Sequence, residues 1–439
     1  MKGREMASTM TQAPTETAGF RSSPAPRLAD HDRLHRFLKQ EGVDAVCLKE
    51  DGHLYYLSGH APDSSLCHFY DDWACALMMG DEPGHGILFV PDYDLAYQVT
   101  RPTSLPELRV YGSEWSSAAS LMKEIYAGVG IETELRAPLR DLFERTRPTM
   151  TQGLQAGIVK ALKETFGDRV VTVACDDLRF GARLEAAAGG RIRIIDAQPL
   201  MRRVRAVKTE AEIDILREAG YINDDALAGA AAGIRENGPW GDMVQGYRHV
   251  LAKRGAKPLG ERGMLFNGGP DGGFVLDHDY VERKTFARGD TVLLDAICTY
   301  RNYHADMART AVIGEPSAMQ LRMYAAVRET LSIVEDAVRP GAMTDDLTAL
   351  AVQTMHKHGF NSKLTTLVFH PIGLEVFDYA EAGHAFGNWA IEENAVINFE
   401  VFYRDPQEGG MHLEDSIVVR PQGLERLSRL SRDLIVVPA

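Results

Sequence analysis

The chain is poor in cysteine and contains no long apolar run. Five of its 439 residues are cysteine, an odd number without the paired C-x-x-C spacing of metal or redox motifs. No apolar stretch approaches the roughly 18 residues of a membrane span, and no signal-peptide core precedes Leu28. We therefore expect a protein of a reducing compartment, the cytoplasm, without structural disulfides or a membrane anchor.

An excess of positive charge is also missing. The chain has 48 lysines and arginines against 62 acidic residues, which gives a formal net charge of −14. This balance argues against nucleic acid or an anionic membrane as the main partner. The length of 439 residues, with 45% hydrophobic content, is enough for two sizeable cores.

The pattern along the chain predicts a tail and two domains, with an overall α+β fold class. Residues 1–29 are rich in Ser, Thr, Pro and Ala, which is typical of a disordered tail. Residues 30–200 alternate helix-like and strand-like stretches, which indicates an α/β domain with a mixed sheet. Residues 201–439 form the second domain. The clearest elements of the first domain are a helix at 34–41, strands at 45–49 and 86–89, a helix at 121–127 and a strand at 170–174.

The join between the two domains is rich in basic residues. They are Arg202, Arg203, Arg205 and Lys208. An anion site is one interpretation, but a solvated linker that leads into a helix is favoured. The residues that follow, Thr209 to Glu212, have the Thr-x-x-Glu pattern of a capping box, which predicts that a helix begins here.

Charged side chains interrupt the most apolar stretches of the last third of the chain. They are Asp295, Asp306, His370, Glu400 and Glu414. A lone buried carboxylate costs several kcal/mol unless it is paired, and several together repel each other. No run of Lys or Arg balances them. Because oxygen ligands with one imidazole suit divalent cations, and two cations would neutralise four carboxylates, the pattern predicts a dinuclear metal site.

Each of these five residues has a simpler explanation when it is taken alone. An Asp or Glu beside a strand is most often exposed to solvent or caps a turn. A lone His is more often a structural residue than a ligand. The joint pattern is more specific, because the order Asp, Asp, His, Glu, Glu comes with apolar flanks on nearly every member.

From about Met201 to the C terminus, the chain resembles the pita-bread metallopeptidases, which include Xaa-Pro aminopeptidases and prolidases. The matching segments are 289–295, 304–310, 370–376, 398–400 and 413–415. The resemblance implies that Asp295 chelates one ion, while His370 and Glu400 hold the other. Asp306 and Glu414 would bridge the two ions. Residues 30–200 resemble the creatinase-like N-terminal domain of the family more weakly.

The residues around these ligands depart from the family pattern. Phe377 and Thr366 stand where the family's peptidases carry histidines, and His412 replaces an arginine. Because residues i and i+2 share a face of a strand, we expect His412 to point to the metal side together with Glu414. His278 matches the remaining active-site histidine of the family.

The resemblance implies that the protein is an enzyme that hydrolyses an amide bond with a metal-bridging water. Glu400 would shuttle the proton, and His278 would polarise the substrate or the tetrahedral oxygen. Xaa-Pro peptides or dipeptides are the expected substrates. A non-peptide amide hydrolase or a lyase is the alternative, since the fold also hosts creatinase and a sulfoniopropionate lyase. A non-catalytic binding protein is a further alternative, although no metal ligand is lost.

The same resemblance implies the cofactors and the assembly. Two divalent ions are expected, with manganese first and cobalt, zinc or iron as alternatives. Family members of this length usually form homodimers with twofold symmetry. We therefore expect a homodimer in which the segment His68–Trp73 lies near the partner's metal site. Trp73, His412 and Phe377 are the predicted substrate contacts.

Overall fold

The computed structural model describes residues 25–61, 73–112, 134–260, 264–268, 284–381 and 387–438, with 264–268 described by their backbone alone. These residues form an N-terminal layer of helices around one sheet and a C-terminal sheet with helices on one face. The α+β class with two domains, predicted from the sequence, is confirmed by this architecture.

Within the described residues, the N-terminal sheet has seven strands. They are β1 Ala45–Leu48, β2 Cys75–Met79, β3 Gly86–Pro91, β4 Glu107–Gly112, β5 Thr151–Gln152, β6 Val171–Cys175 and β7 Ile192–Asp196. Their order is β5-β4-β3-β2-β1-β6-β7; β2 runs antiparallel to β1 and β3, and the other pairs are parallel. The predicted mixed sheet is thus present.

Seven helices accompany this sheet in the described part of the N-terminal half. They are α1 His31–Glu41, α2 Asp51–Ser58, α3 Leu95–Thr100, α4 Arg136–Thr146, α5 Leu154–Phe166, α6 Leu178–Ala187 and α7 Gln198–Arg205. Alternate residues of the central strands enter two separate cores, with Val46 and Leu48 in one and Ala45 and Cys47 in the other. A strand that is buried on both faces reads as continuously apolar, as β1 does. The helix predicted at 121–127 lies outside the described residues.

The predicted disordered tail extends too far toward the C terminus. Leu28 is fully buried in the N-terminal core, and its carbonyl oxygen accepts a hydrogen bond from Thr209 Oγ1 at 2.9 Å. Asp30 then caps α1 by accepting from the backbone N–H of Arg33 at 2.8 Å. Composition alone missed this anchoring, because one leucine among small residues is enough to fix the segment. The prediction is therefore wrong for residues 25–29.

The C-terminal sheet has nine strands in the described residues. They are β8 Lys257–Pro258, β9 Met264–Gly268, β10 Thr291–Tyr300, β11 Tyr303–Ile313, β12 Thr365–Pro371, β13 Val396–Asp405, β14 Gly409–Arg420, β15 Gly423–Arg426 and β16 Ile435–Val437. The main path is β12-β13-β14-β11-β10-β8, while β9, β15 and β16 pair with β10, β14 and β11.

Four helices cover one face of this sheet in the described residues: α8 Glu210–Ala232, α9 Trp240–Arg254, α10 Ala318–Ala337 and α11 Thr344–Lys357. The predicted capping box at Thr209 and Glu212 is present and opens α8. The helices contact one alternating set of strand side chains, such as Leu294 in β10 and Phe399 in β13. The other set therefore faces away from the helices.

The two domains share a core. Val396 and Val418, which lie opposite each other on the face away from the helices, belong to the same buried cluster as Leu48 and Tyr56 of the N-terminal domain. The face of the sheet that is free of helices thus continues directly into the domain contact. Among the described residues, no helix is long and apolar enough to cross a membrane.

Candidate metal centre

The hairpin of β10 and β11 places Asp295 and Asp306 on the same face. A two-residue turn at Arg301 and Asn302, with φ of 47° and 65°, joins the strands, as in the hairpin turns that match strand twist. This turn sets Asp295 opposite Ala308. Asp306 comes two residues before Ala308, so its side chain points to the same side of the sheet as Asp295.

The ladder continues from Ala308 to the two glutamates. Ala308 is opposite Glu414 in β14, and Glu414 is opposite Glu400 in β13. Opposing residues of an antiparallel pair share a face. Asp295, Glu414 and Glu400 therefore lie in one row across four strands, on the side away from the helices.

The adjacent row carries the other two predicted ligands. Ser416 in β14 is opposite Asn398, and Asn398 is opposite His370 in β12. Asp306 joins this row, because its carbonyl oxygen accepts hydrogen bonds from Ser416 Oγ at 3.1 Å and Asn398 Nδ2 at 3.2 Å. All five residues predicted as ligands thus lie in two neighbouring rows of one face.

On this face of the sheet, two groups of ligand atoms are close enough to bind a metal. Oxygen or nitrogen atoms of Asp306, His370 and Glu414 lie within 4.8 Å of one another, and so do those of Glu400, His412 and Glu414. Glu414 belongs to both groups, as a bridging ligand would. Asp295 belongs to neither group, because Ala308 separates it from Glu414 along the row.

The imidazole of His370 has a defined orientation. Its Nδ1 donates to the carbonyl oxygen of Val376 at 2.9 Å. Its Nε2 faces the carboxylates, 3.3 Å from Glu414 Oε1 and 3.8 Å from Asp306 Oδ2. A histidine that binds a metal through one nitrogen typically donates its other ring N–H to a carbonyl or carboxylate, which holds the ring in place.

His412 points to the metal side, as the strand periodicity predicts. Its Nε2 lies 2.8 Å from Glu400 Oε2 and 4.0 Å from Glu414 Oε2. Burial lowers the pKa of His412, but the hydrogen bond to Glu400 and the neighbouring carboxylates outweigh burial and raise it to about 9. Burial raises the pKa of Glu400, but the same hydrogen bond and the charges of His412, His370 and Arg404 together outweigh burial and lower the pKa overall.

The carboxylates cannot all remain charged without a counterion. Burial and the charges of Glu414 and Glu400 raise the pKa of Asp295 to about 7, against the opposing effect of His412. Burial and the charge of Glu414 raise the pKa of Asp306 well above its ordinary value. Without a cation, bound protons would reduce the negative charge of the cluster. A divalent cation would balance that negative charge in place of the protons.

One buried oxygen supports the fit to a cation directly. Asp306 Oδ1 is buried and has no hydrogen-bond partner in the described part of the chain. Buried polar atoms are otherwise nearly always paired. The donor set of four carboxylates and one imidazole suits Mn, Co, Zn or Fe, and the residues present fit such ions.

Sequence reasoning missed the residues that support the ligands. Asn398 Nδ2 donates to Glu414 Oε1 at 2.8 Å, and Ser416 Oγ donates to Asn398. The rule that placed His412 puts both on the face of the ligands, because Asn398 is two residues from Glu400 and Ser416 is two from Glu414, but it does not give their hydrogen bonds. On the opposite face, the fully buried Arg309 donates to the Glu414 carbonyl and to Asp415 Oδ1, each at 2.8 Å. No periodicity signals that pairing.

The predicted substrate contacts are partly brought together. Phe377 is 57% exposed, with its ring centroid 4.7 Å from that of His370, at the edge of the site. Thr366 accepts a hydrogen bond from Arg404, whose guanidinium lies over the ring of Phe402 at 3.9 Å. That ring stacks on His412, 5.0 Å away between centroids. An aromatic and cationic rim thus borders the carboxylates.

Trp73 lies in the N-terminal domain, next to β2. Its Nε1 donates to Asp94 Oδ2 at 3.0 Å, its ring contacts Tyr93, and its carbonyl accepts from Tyr111. These contacts fix its place within its own domain. A role across a dimer interface remains a prediction. His278, and the rest of the segment from His68 to Trp73, lie outside the described residues.

The basic join is not the solvated linker that the sequence predicts. Arg205 is 2% exposed and donates to Asp378 Oδ1 through Nε at 3.1 Å and through Nη2 at 2.7 Å. Lys208 is equally buried and donates to Asp378 Oδ2 at 3.2 Å. The prediction is wrong for these two residues, because their partner is 170 or more positions away and cannot be read from the local sequence.

Fold and site together define a two-domain α+β protein with a buried cluster of carboxylates and histidine on a helix-free sheet face. Residues 214–421 match Metallopeptidase family M24. This match lies within the C-terminal domain and confirms the predicted resemblance to the pita-bread metallopeptidases, and the expectation of a metallohydrolase is confirmed with it.

Relatives extend over both domains. The Xaa-Pro dipeptidase of Pyrococcus furiosus is 22% identical over 405 residues, covering 92% of this chain and 99% of that protein. The crystal structure of the prolidase from Pyrococcus horikoshii matches with a TM-score of 0.65 and 21% identity over 92% of this chain and 99% of that chain. The X-Pro aminopeptidase from Thermotoga maritima matches with a TM-score of 0.63 and 21% identity over 93% and 99%. These likenesses support the same fold for both domains.

Proposed function

We propose that this protein is a metal-dependent peptidase that cleaves the Xaa-Pro bond of peptides or dipeptides. The observation that carries the proposal is the clustering of the predicted ligands in two adjacent rows, with Asp306 Oδ1 buried and without a partner in the described residues. Relatives named as Xaa-Pro dipeptidases support the choice of substrate.

Asp295, Asp306, His370, Glu400 and Glu414 would hold two divalent ions, manganese being the first candidate. When bound, such ions lower the pKa of a water molecule and polarise the carbonyl group of the substrate. Glu400, whose Oε2 lies 2.8 Å from His412 Nε2, would hold the proton. His278 is the proposed residue to polarise the substrate.

A second candidate function rests on Phe377. This exposed phenyl ring borders His370 at the place where the family's peptidases carry a histidine. A phenyl ring offers no N–H to a peptide group. A small non-peptide amide, or a substrate for a lyase reaction, would not need that donor.

The test is metal analysis followed by an assay panel. Purified protein would be stripped with chelator, reloaded with Mn, Co or Zn, and assayed on Xaa-Pro dipeptides, longer Xaa-Pro peptides and small amides. The proposal expects two ions per chain and turnover of Xaa-Pro substrates. Turnover of small amides alone would favour the second candidate, and absence of bound metal would refute both.

A further inference from the structure

A loop that begins at the last residue of β12 contacts the imidazole of His370. This loop, residues 371–378, carries the Val376 carbonyl oxygen that accepts from His370 Nδ1 at 2.9 Å. That hydrogen bond leaves Nε2 facing Asp306 and Glu414. The position of the Val376 carbonyl, and with it the direction of the imidazole, therefore depends on what holds the loop.

Asp378 holds the loop at its far end. Its backbone N–H donates to the Pro371 carbonyl at 2.8 Å, which closes the loop on itself. Its carboxylate is fully buried and packs directly on the backbone of Gly373, where an added Cβ would lie 2.4 Å from Oδ2. Burial opposes ionisation of Asp378, but the charges of Lys208 and Arg205 outweigh it and lower its pKa.

The two cations that hold Asp378 come from the join between the domains. Arg205 ends α7 and also donates to Glu375 Oε1, within the same loop, at 2.6 Å. Lys208 donates through Nζ to the Arg205 carbonyl at 2.5 Å, and its backbone N–H donates to the Asn394 carbonyl at 2.9 Å. Residues 205–208 are thus held at both ends by hydrogen bonds, from Arg205 to Glu375 and from the Lys208 backbone to Asn394.

Arg205 also connects the loop to the N-terminal domain. It donates to His53 Nε2, so His53 Nδ1 carries the proton and donates to Asp176 Oδ2 at 3.1 Å. Asp176 accepts in addition from the backbone N–H groups of Lys49 and Glu50, at 2.9 and 3.0 Å. The chain of contacts therefore runs from the N-terminal sheet to the metal-site loop.

His53, Asp176 and Glu50 have the composition of a metal site, but their surroundings exclude a cation. His53 Nε2 is occupied by the Arg205 guanidinium, and the Asp176 oxygens are occupied by backbone donors and His53. A bound cation would face the positive charge of Arg205 at close range. The arrangement fits a connection between domains instead.

We propose that Arg205, Lys208 and Asp378 are positioning residues for His370, acting through the Val376 carbonyl oxygen, and that the N-terminal domain thereby tunes metal binding. The inference rests on the metal site of the proposed function. It goes further in assigning part of the metal affinity to residues that touch no ion. Asp378 lies 173 positions from Arg205 and 170 from Lys208, the two residues that hold it.

The test is a double-mutant cycle read as affinity for Co²⁺ by calorimetric titration. Asp378→Asn, which preserves shape, should weaken binding by about 10- to 100-fold, as is typical when a residue that orients a metal ligand is changed. In a His370→Ala background the same change should have little further effect, because the residue through which it acts is gone. The Co²⁺ absorption spectrum should change with Asp378→Asn in the same direction as with His370→Ala.

Two further variants separate positioning from stability. Arg205→Lys keeps the charge but loses the two-pronged contact, and it provides the same cycle should Asp378→Asn not fold. Arg109→Lys is the matched control: Arg109 is a buried, ion-paired arginine that bonds Glu107 and Glu164 in the N-terminal domain. It should leave Co²⁺ affinity unchanged.

The outcomes are distinct. Wild-type protein that binds no Co²⁺ would overturn the proposed function itself. Wild-type binding with unchanged affinity in Asp378→Asn or Arg205→Lys would overturn the positioning role alone. Equal losses with and without His370 would also overturn it, because the effect would then reach the metal by another route.

Discussion

Glu212 offers a direct test of the electrostatics of the domain join. It is 1% exposed; its Oε2 accepts from the Thr209 backbone N–H at 2.8 Å and its Oε1 from the Tyr303 hydroxyl at 3.1 Å. Burial raises its pKa to about 7, against the opposing charge of Lys208. The nearby cations Arg205 and Lys208 are already matched by Asp378 and Glu375, so no full positive charge remains for Glu212.

The size and sign of its effect on stability follow from proton linkage. Between pH 4.5 and about 7, folded Glu212 holds a proton that the unfolded chain has released. Stability therefore falls as the pH rises through this window, and the cost is complete above pH 7. At about 1.4 kcal/mol per pKa unit, the cost is about 3 kcal/mol at pH 8 and about 1 kcal/mol at pH 5.

Glu212→Gln removes the charge. Its amide oxygen can accept from the Thr209 N–H, as in a capping box, and its amide nitrogen can donate to the Tyr303 hydroxyl oxygen. The free energy of unfolding should rise by up to about 3 kcal/mol at pH 8 and by about 1 kcal/mol at pH 5. The measurement is urea denaturation at both pH values, with chelator present throughout so that metal binding does not contribute.

A matched control lies two residues earlier, in the first turn of the same helix. Glu210 is exposed, and its hydrogen bonds to Arg420, at 2.5 and 3.0 Å, lower its pKa. Glu210→Gln should therefore give no gain at pH 8. A Glu212→Gln variant that is less stable than wild type at pH 8, or that gains equally at both pH values, would refute the reasoning.

Three further predictions concern the metal site and assembly. Asp306→Asn should lose bound metal and activity. In chelator it should be no less stable than wild type, because it removes one of several carboxylates that repel each other. Metal analysis and thermal denaturation measure these effects, and full metal retention would contradict the prediction. Phe377→His should raise Xaa-Pro turnover by restoring an N–H donor at the edge of the site, and an unchanged rate would argue that this position does not limit specificity. Light scattering should give a dimer, with Trp73→Ala altering substrate affinity more than metal content, whereas a 48.5 kDa particle would contradict the dimer.

Strand periodicity made the candidate site predictable to a large extent. Asp295 and Asp306 are eleven positions apart, and a two-residue turn converts that spacing into one shared face. The same periodicity places His412 beside Glu414. It could not show that Asn398 and Ser416 bond the ligands, because that depends on which strands become neighbours.

The sequence by itself determined the elements whose causes are local. The capping box at Thr209 starts a helix because its donors and acceptors are three residues apart, and apolar flanks identify buried carboxylates one strand at a time. Only the tertiary structure decided that two basic residues of the domain join are buried. Arg205 and Lys208 are buried because Asp378, distant in the chain, lies where their charges can be paired without water. Leu28 likewise packs because the domain contact offers it a core. Such contacts join residues that are far apart in the sequence, and no local pattern of residues predicts them.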